Sequence, residues 1–253
     1  MWRGTRCDIA CVKIGCHVER HEAKGEQAPV PRVQPSLALI AVALLACGCV
    51  PTTKPRAPPG TSVTALVAKS DVWVAVASPA DQGRIARTAL AWQAGLAEAR
   101  KAGFKDEISA EGKLLGPGGA LSRPAPTPGS YRCRVVTLGR SLKRGPAFEK
   151  FKPFFCYVDL EGELFTIVKQ TGSSRPAGRL WEDDVPTRLI FLGSLALGNE
   201  EEALAYGDDR RRDMAGVFER IAPFRWRLVI PFPQDGTKVT VFELTPVADQ
   251  PSP

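Results

Sequence analysis

From Gly129 onward the apolar residues stop recurring at three- and four-residue steps and begin to alternate with polar ones. That change of period constrains the fold more than any other feature. Successive side chains of a strand point to opposite faces, whereas a helix gathers positions three and four apart onto one stripe. Cut at its turn residues, the segment predicts strands near 130–138, 153–160, 163–170, 188–197, 214–221, 225–232 and 238–245, with a short one at 177–181. In RWRLVIPF, Trp226, Leu228, Ile230 and Phe232 should point one way and Arg225 and Arg227 the other. Seven or eight strands joined by short turns, with no long helices between them, predict an antiparallel meander, either a closed calycin-like barrel or a half-barrel.

Ahead of Gly129 the signals are helical. Ser78-Pro79-Ala80-Asp81 offers a capping hydroxyl, a proline where its missing N–H costs nothing and a carboxylate near the positive helix end. Ile85, Ala89, Trp92, Leu96 and Ala99 then form one stripe, on which Trp92 reads as core, and Gly103 ends the helix. A shorter helix is expected over 106–115, before the Gly/Pro-rich break GPGGALSRPAPTPG. The class is therefore α+β: a helical segment over 71–128, one helix or two, packed on a β-domain over 129–247 and covering an opening of a half-barrel.

A chain of 253 residues, 44% hydrophobic and 24% charged, is long enough for one well-buried core. It holds 34 Lys/Arg and 27 Asp/Glu; the first 49 residues take six and four of these, leaving 28 against 23 and a dispersed charge of +5. Such a balance speaks to solubility and gives no footprint for nucleic acid. Both histidines, His17 and His21, lie near the start, so the folded body lacks the commonest general base and the commonest metal ligand. No cofactor and no metal site is expected. The spacing of Cys7, Cys11 and Cys16 with those histidines fits no common closed zinc site.

From Leu37 the chain reads LALIAVALLACGC, an apolar run too short to span a bilayer and suited to a signal-peptide core. Leu44-Leu45-Ala46-Cys47 resembles a lipobox, in which the cysteine becomes a lipid-bearing N-terminus; Cys49 offers a second register. Pro51, Pro55, Pro58 and Pro59 make 50–70 an extended tether. Residues 1–36 read as a non-native or disordered extension, with initiation at Val30 or Val33 giving a conventional signal, and 248–253 as a disordered tail. The chain is thus expected to be exported, periplasmic and held at the outer membrane by a lipid anchor. In an oxidising compartment Cys133 and Cys156, each in mid-strand, should form a disulfide if their strands are neighbours, or else remain buried free thiols.

YRCRVV (131–136), TGSSRPAGRLW (171–181), RLIFLGSLALG (188–198), RDMAGVFERI (212–221) and RWRLVIPFP (225–233) resemble, in wording and order, the exported bacterial proteins catalogued as domain of unknown function 4893. The resemblance takes in the helix from Ser78, covers most of 71–247 and implies no catalytic residues. A glutamine usually stands where Ser174 is, and nothing corresponds to the chain ahead of Pro35.

The stretch TGSSRPAGRLWEDD (171–184) lacks both glycine patterns of a phosphate loop. Ser173, Ser174, Arg175, Arg179 and Trp181 are its candidate binding residues, since guanidinium forks suit a carboxylate or phosphate. The competing reading pairs the two arginines with Glu182, Asp183 or Asp184. Those three adjacent acids diverge too much for a glycosidase pair, and 200–213 lacks the ligand pattern of a calcium loop. The reading with most support is a non-enzymatic binding or structural module whose partners are the membrane, through the anchor, and an envelope protein or small molecule. The alternatives are a histidine-independent hydrolase using Ser173, Ser174, Arg175 and Asp184, or a small lipid-carrier or inhibitor barrel. A deep apolar pocket inside a closed barrel favours carriage; a cleft gathering acids and arginines favours catalysis.

Overall fold

The computed structural model describes residues 68–141, 145–172, 174–198 and 200–247, all of which belong to one compact unit. The extension (1–36), the apolar run (37–49), most of the tether, the tail (248–253), Cys47, Cys49 and Ser173 lie outside the described residues. Among those described, α1 (Lys69–Val76), α2 (Pro79–Ala86), α3 (Thr88–Lys101), α4 (Lys105–Ala110) and a 3-10 turn (Gly112–Leu114) come first. Nine strands follow: β1 (Gly129–Leu138), β2 (Phe148–Lys150), β3 (Phe154–Glu161), β4 (Leu164–Lys169), β5 (Ser174–Glu182), β6 (Arg188–Leu197), β7 (Asp213–Ala222), β8 (Arg225–Pro231) and β9 (Val239–Pro246).

From β3 to β9 each strand pairs antiparallel with the next, and β1 joins the two ends of the series. Its Gly129–Cys133 half pairs with β3, while Tyr131–Leu138 pairs with β9 on the other side. Eight strands therefore close into a barrel. β2 is a short extra strand on β1, at Val136–Leu138, where β3 has already left it. Nothing in three residues of alternation announces such a strand, and the sequence reading omits it; β5 is longer than the expected 177–181.

The inward faces form one core of Tyr131, Cys133, Cys156, Val158, Ile167, Leu180, Phe191, Phe218, Trp226, Leu228, Ile230 and Leu244, with Leu189 and Phe242 beside them. Gly178 and Gly193 face each other across β5 and β6 because the Phe191 ring occupies their inward side: a Cβ on Gly178 would lie 2.7 Å from that ring and 2.5 Å from the Gly193 Cα. Phe232 does not continue the inward row of β8. Its φ of 45° turns it out of the strand after Pro231, and it packs instead with the helices.

The helices cover the outer wall of the barrel and no opening. Trp92, Leu96, Ile108 and Leu114 pack on Val136, Val229, Val239 and Val241. Trp73 and Ile85 pack on Ile190, Leu192, Ala215 and Val217. Consequently β6, β8 and β9 are buried on both faces and read as nearly continuous apolar runs. β3, whose outer face none of the described helices covers, alternates from Phe155 to Asp159, with Phe155 and Tyr157 exposed.

Ser78 caps α2 as expected, its hydroxyl accepting the Asp81 N–H at 3.2 Å, with Pro79 in the first turn. The single expected stripe breaks at Arg87, which leaves helical geometry between α2 and α3. The phase slips by that break, so Ala89 is exposed and Ala91 takes the buried position. Arg227 does point outward, but not to water. It is 1% exposed, donates to the carbonyls of Lys113, Leu114 and Gly116 at 2.8–3.1 Å, pairs with Glu219 at 2.7 Å and lies 5.2 Å from the Trp92 ring. One guanidinium thus satisfies the carbonyls left over at the 3-10 turn and ties it to the wall. Nearby, Arg134 binds both Glu111 and Glu243. Burial pushes the Glu111 carboxyl up, but its bond to Arg134, with Lys150 alongside, outweighs that and holds it below the usual carboxylate range.

Candidate functional site

The two ends of the barrel differ. At one, the Pro-rich chain leading into β1 lies across the opening. Trp226 donates from its indole nitrogen to the Pro124 carbonyl at 2.9 Å, and Tyr131 donates its hydroxyl to the Thr127 carbonyl at 2.6 Å. Pro124 and Pro126 are buried, and Leu121 bridges to Arg220. The two rings meet edge to face at 5.9 Å and fill this end. Segment 121–128, and none of the described helices, is the plug.

At the other end the barrel opens onto a pocket of about 820 Å³. It collects inward-facing positions from the matching ends of the strands: Val135 of β1, Phe154 of β3, Leu195 of β6, Met214 of β7, Ile230 of β8 and Phe242 of β9. Thr137, Ser174 and Thr240 add polar atoms. Below this level a void of about 10 Å³ beside Cys156, Ile167 and Phe191 has no more room than one water needs, and the packed core fills the lower half of the barrel. Eight strands enclose an interior of the size that side chains can fill or that one small ligand can share with them.

Lys169, the last residue of β4, shares the inward face with Phe165 and Ile167 and reaches both the mouth and the small void. Its ammonium donates to the Ser174 carbonyl at 2.7 Å and lies 4.3 Å from the Phe154 ring centre. Burial pulls it below its ordinary pKa. The sequence reading missed this residue, although a lone cation on the inward row of FTIVK was the available signal.

Strand alternation separates the expected site residues. Ser174 lines the mouth. Arg175 turns outward and clasps the loop beyond β6, donating to the carbonyls of Gly172 and Gly198 at 2.9 Å and to that of Glu200. Arg179 pairs on the surface with Glu161 at 2.9 Å, not with the acids that follow β5. Trp181 is half-buried on the outer wall against the cluster under α1 and α2. Asp184, two residues beyond the far end of β5, accepts from the Lys69 N–H at 2.9 Å and from Ser70. Ten residues at about 3.3 Å each place it on the order of 30 Å along the chain from Ser174, so the expected hydrolase group does not come together.

The three acids instead hold α1. Glu182 pairs with Lys69 at 2.9 Å, and Asp183 accepts the Trp73 indole N–H at 3.0 Å while pairing with Arg188. On the 200–213 loop, Tyr206 was not singled out by sequence; it donates to Asp81 at 2.6 Å and accepts the Ser78 N–H at 2.9 Å, seating the loop on the start of α2.

Cys133 and Cys156 are buried free thiols, not the anticipated disulfide. The register sets Cys156 opposite Tyr131 and Cys133 opposite Phe154, so the two are diagonal neighbours inside the barrel. Burial, with Cys156 in hydrogen-bonding contact, pushes the Cys133 thiol far up. Among the described residues, no three His, Cys, Asp or Glu side chains are grouped to hold a metal ion.

Comparison with known proteins finds no curated protein and no solved structure that matches. Residues 73–244, from within α1 to within β9, match the family described as Domain of unknown function (DUF4893). Helical layer and barrel together are the unit this match covers, and the chain belongs to that family.

Proposed function

We propose that the protein is a small-molecule binding barrel, its mouth taking one compact, largely apolar ligand. The observation that carries this reading is a closed barrel plugged at one end and open at the other onto a pocket of about 820 Å³. That volume falls in the range of small-ligand sites, and an apolar lining with a few polar atoms is their usual composition. Nile red, a neutral dye that brightens on leaving water, should bind saturably at one site per chain. Met214→Trp, which fills the mouth with a larger ring, should abolish binding while leaving the circular-dichroism spectrum unchanged. Non-saturable binding, or binding indifferent to that substitution, overturns the reading.

We also propose that this barrel works outside the cytosol, exported and held at the outer membrane through an acylated Cys47 or Cys49. The apolar run ending in cysteine and the proline tether support this. Mass spectrometry of the protein from native membranes should find an N-terminal cysteine carrying acyl chains; an unprocessed chain beginning at Met1 counts against it. The same spectra report whether Cys133 and Cys156, in contact as thiols, join in that compartment with the loss of two hydrogens.

A further inference from the structure

We infer that the occupant of the barrel mouth is an amphiphile bearing a single negative charge, its anionic group set against Lys169 and its apolar body against Phe154, Leu195, Met214, Ile230 and Phe242. This rests on the pocket reading above.

Among the described residues, Lys169 carries a charge without a counter-charge. The inward face of β4 directs Lys169 into the pocket, where its ammonium has three donors. One is spent on the Ser174 carbonyl, and the Phe154 ring takes up part of the charge. Among the described residues no carboxylate lies within ion-pairing reach of it. Burying an ammonium without such a partner is costly, and the burial already felt by Lys169 makes its ionised form harder to keep.

The other charges at the opening do not remove that deficit. Lys152 on the rim adds a second cation. Asp235, the acid on the rim, is turned into its own loop, accepting the Thr237 N–H at 2.9 Å and the Thr237 hydroxyl at 2.7 Å. Arg175, on the neighbouring strand, is engaged with backbone carbonyls on the outer side. A neutral occupant would strip water from Lys169 and give nothing back, and a cation would be repelled. An anion restores a charge-assisted hydrogen bond where the local dielectric makes it count. Lys152 is exposed at the rim, so the one cation set among the apolar side chains is Lys169, which suits one charge, and those side chains suit the rest of the molecule. Since the lower barrel is filled, that body stays in the upper half and is short or compact.

The test uses the full chain at neutral pH, with decanoate and decanol below the concentrations at which they aggregate, each displacing Nile red. Decanoate should compete about tenfold better than decanol, as one charge-assisted bond implies. Lys169→Met should erase that preference, bringing decanoate to the level of decanol when both compete for Nile red bound to the same variant; Lys169→Arg should keep it. Equal competition in the wild type, or a preference that survives Lys169→Met, overturns the inference while the pocket stands. If Nile red does not bind at all, the pocket reading fails, and calorimetric titration with decanoate decides the anion site alone: heat in the wild type that vanishes in Lys169→Met upholds it, and no heat in the wild type overturns it. Thermal melting checks that each variant is folded.

Discussion

Asp213, at the start of β7, is 2% exposed; one carboxylate oxygen accepts the Gly207 N–H at 3.0 Å and the other has no hydrogen-bond partner. Burial raises its pKa, and the nearby carboxylates of Asp81 and Asp209 add to this, against the Gly207 N–H and the Arg84 charge. Between about pH 3.9, where an unfolded aspartate titrates, and the raised folded value, the native chain holds a proton that the unfolded chain has released. Stability from this group is therefore complete below that window and declines as pH rises through it. Asp213→Asn, neutral throughout, should remove the decline, so the melting temperatures of variant and wild type should diverge in the variant's favour with rising pH. A constant difference would contradict the assignment. Asp213 cannot be recognised from its immediate neighbours in the sequence, because what distinguishes it is enclosure by elements distant in the chain, whereas Lys169 is marked by its parity on the inward row of β4.

α1 is held by a few contacts that can be cut one at a time. Trp73 buries its ring under the helix and donates to Asp183, while Lys69 and Ser70 bind Glu182 at the end of β5 and Asp184 beyond it. Trp73→Ala should cost about 3–5 kcal/mol, the usual loss for deleting a buried aromatic ring. Amide exchange should then speed up across Lys69–Val76 while the amides of β1 and β9 keep their protection. The acidic stretch was legible as a cluster but not in its role, because its partners in α1 lie more than a hundred residues earlier. Helix starts fared better: Ser78 and Pro79 act through their own backbone, so the cap survives folding unchanged. The break at Arg87 did not show in the periodicity, since small alanines on either side let two phases look like one stripe.

Closure of the barrel depends on β1 meeting β9, from Tyr131 against Pro246 to Leu138 against Val239. No local pattern encodes a pairing across that separation. Alternation gave the strands and their inward rows, and so Cys133, Cys156 and the inward row of β8 down to Ile230, but it could not choose between a ring and a curled sheet. It also placed Arg175, Arg179 and Trp181 near Ser174 in the text of the chain while sending them through opposite faces of the wall. Proximity in sequence was the wrong guide to that site; parity along the strand was the right one. With Trp226 and Tyr131 bonded into segment 121–128, the barrel is a flask and not a pipe. Under the proposed binding role a guest would leave by the mouth it entered, and cargo would not be passed through from one side to the other.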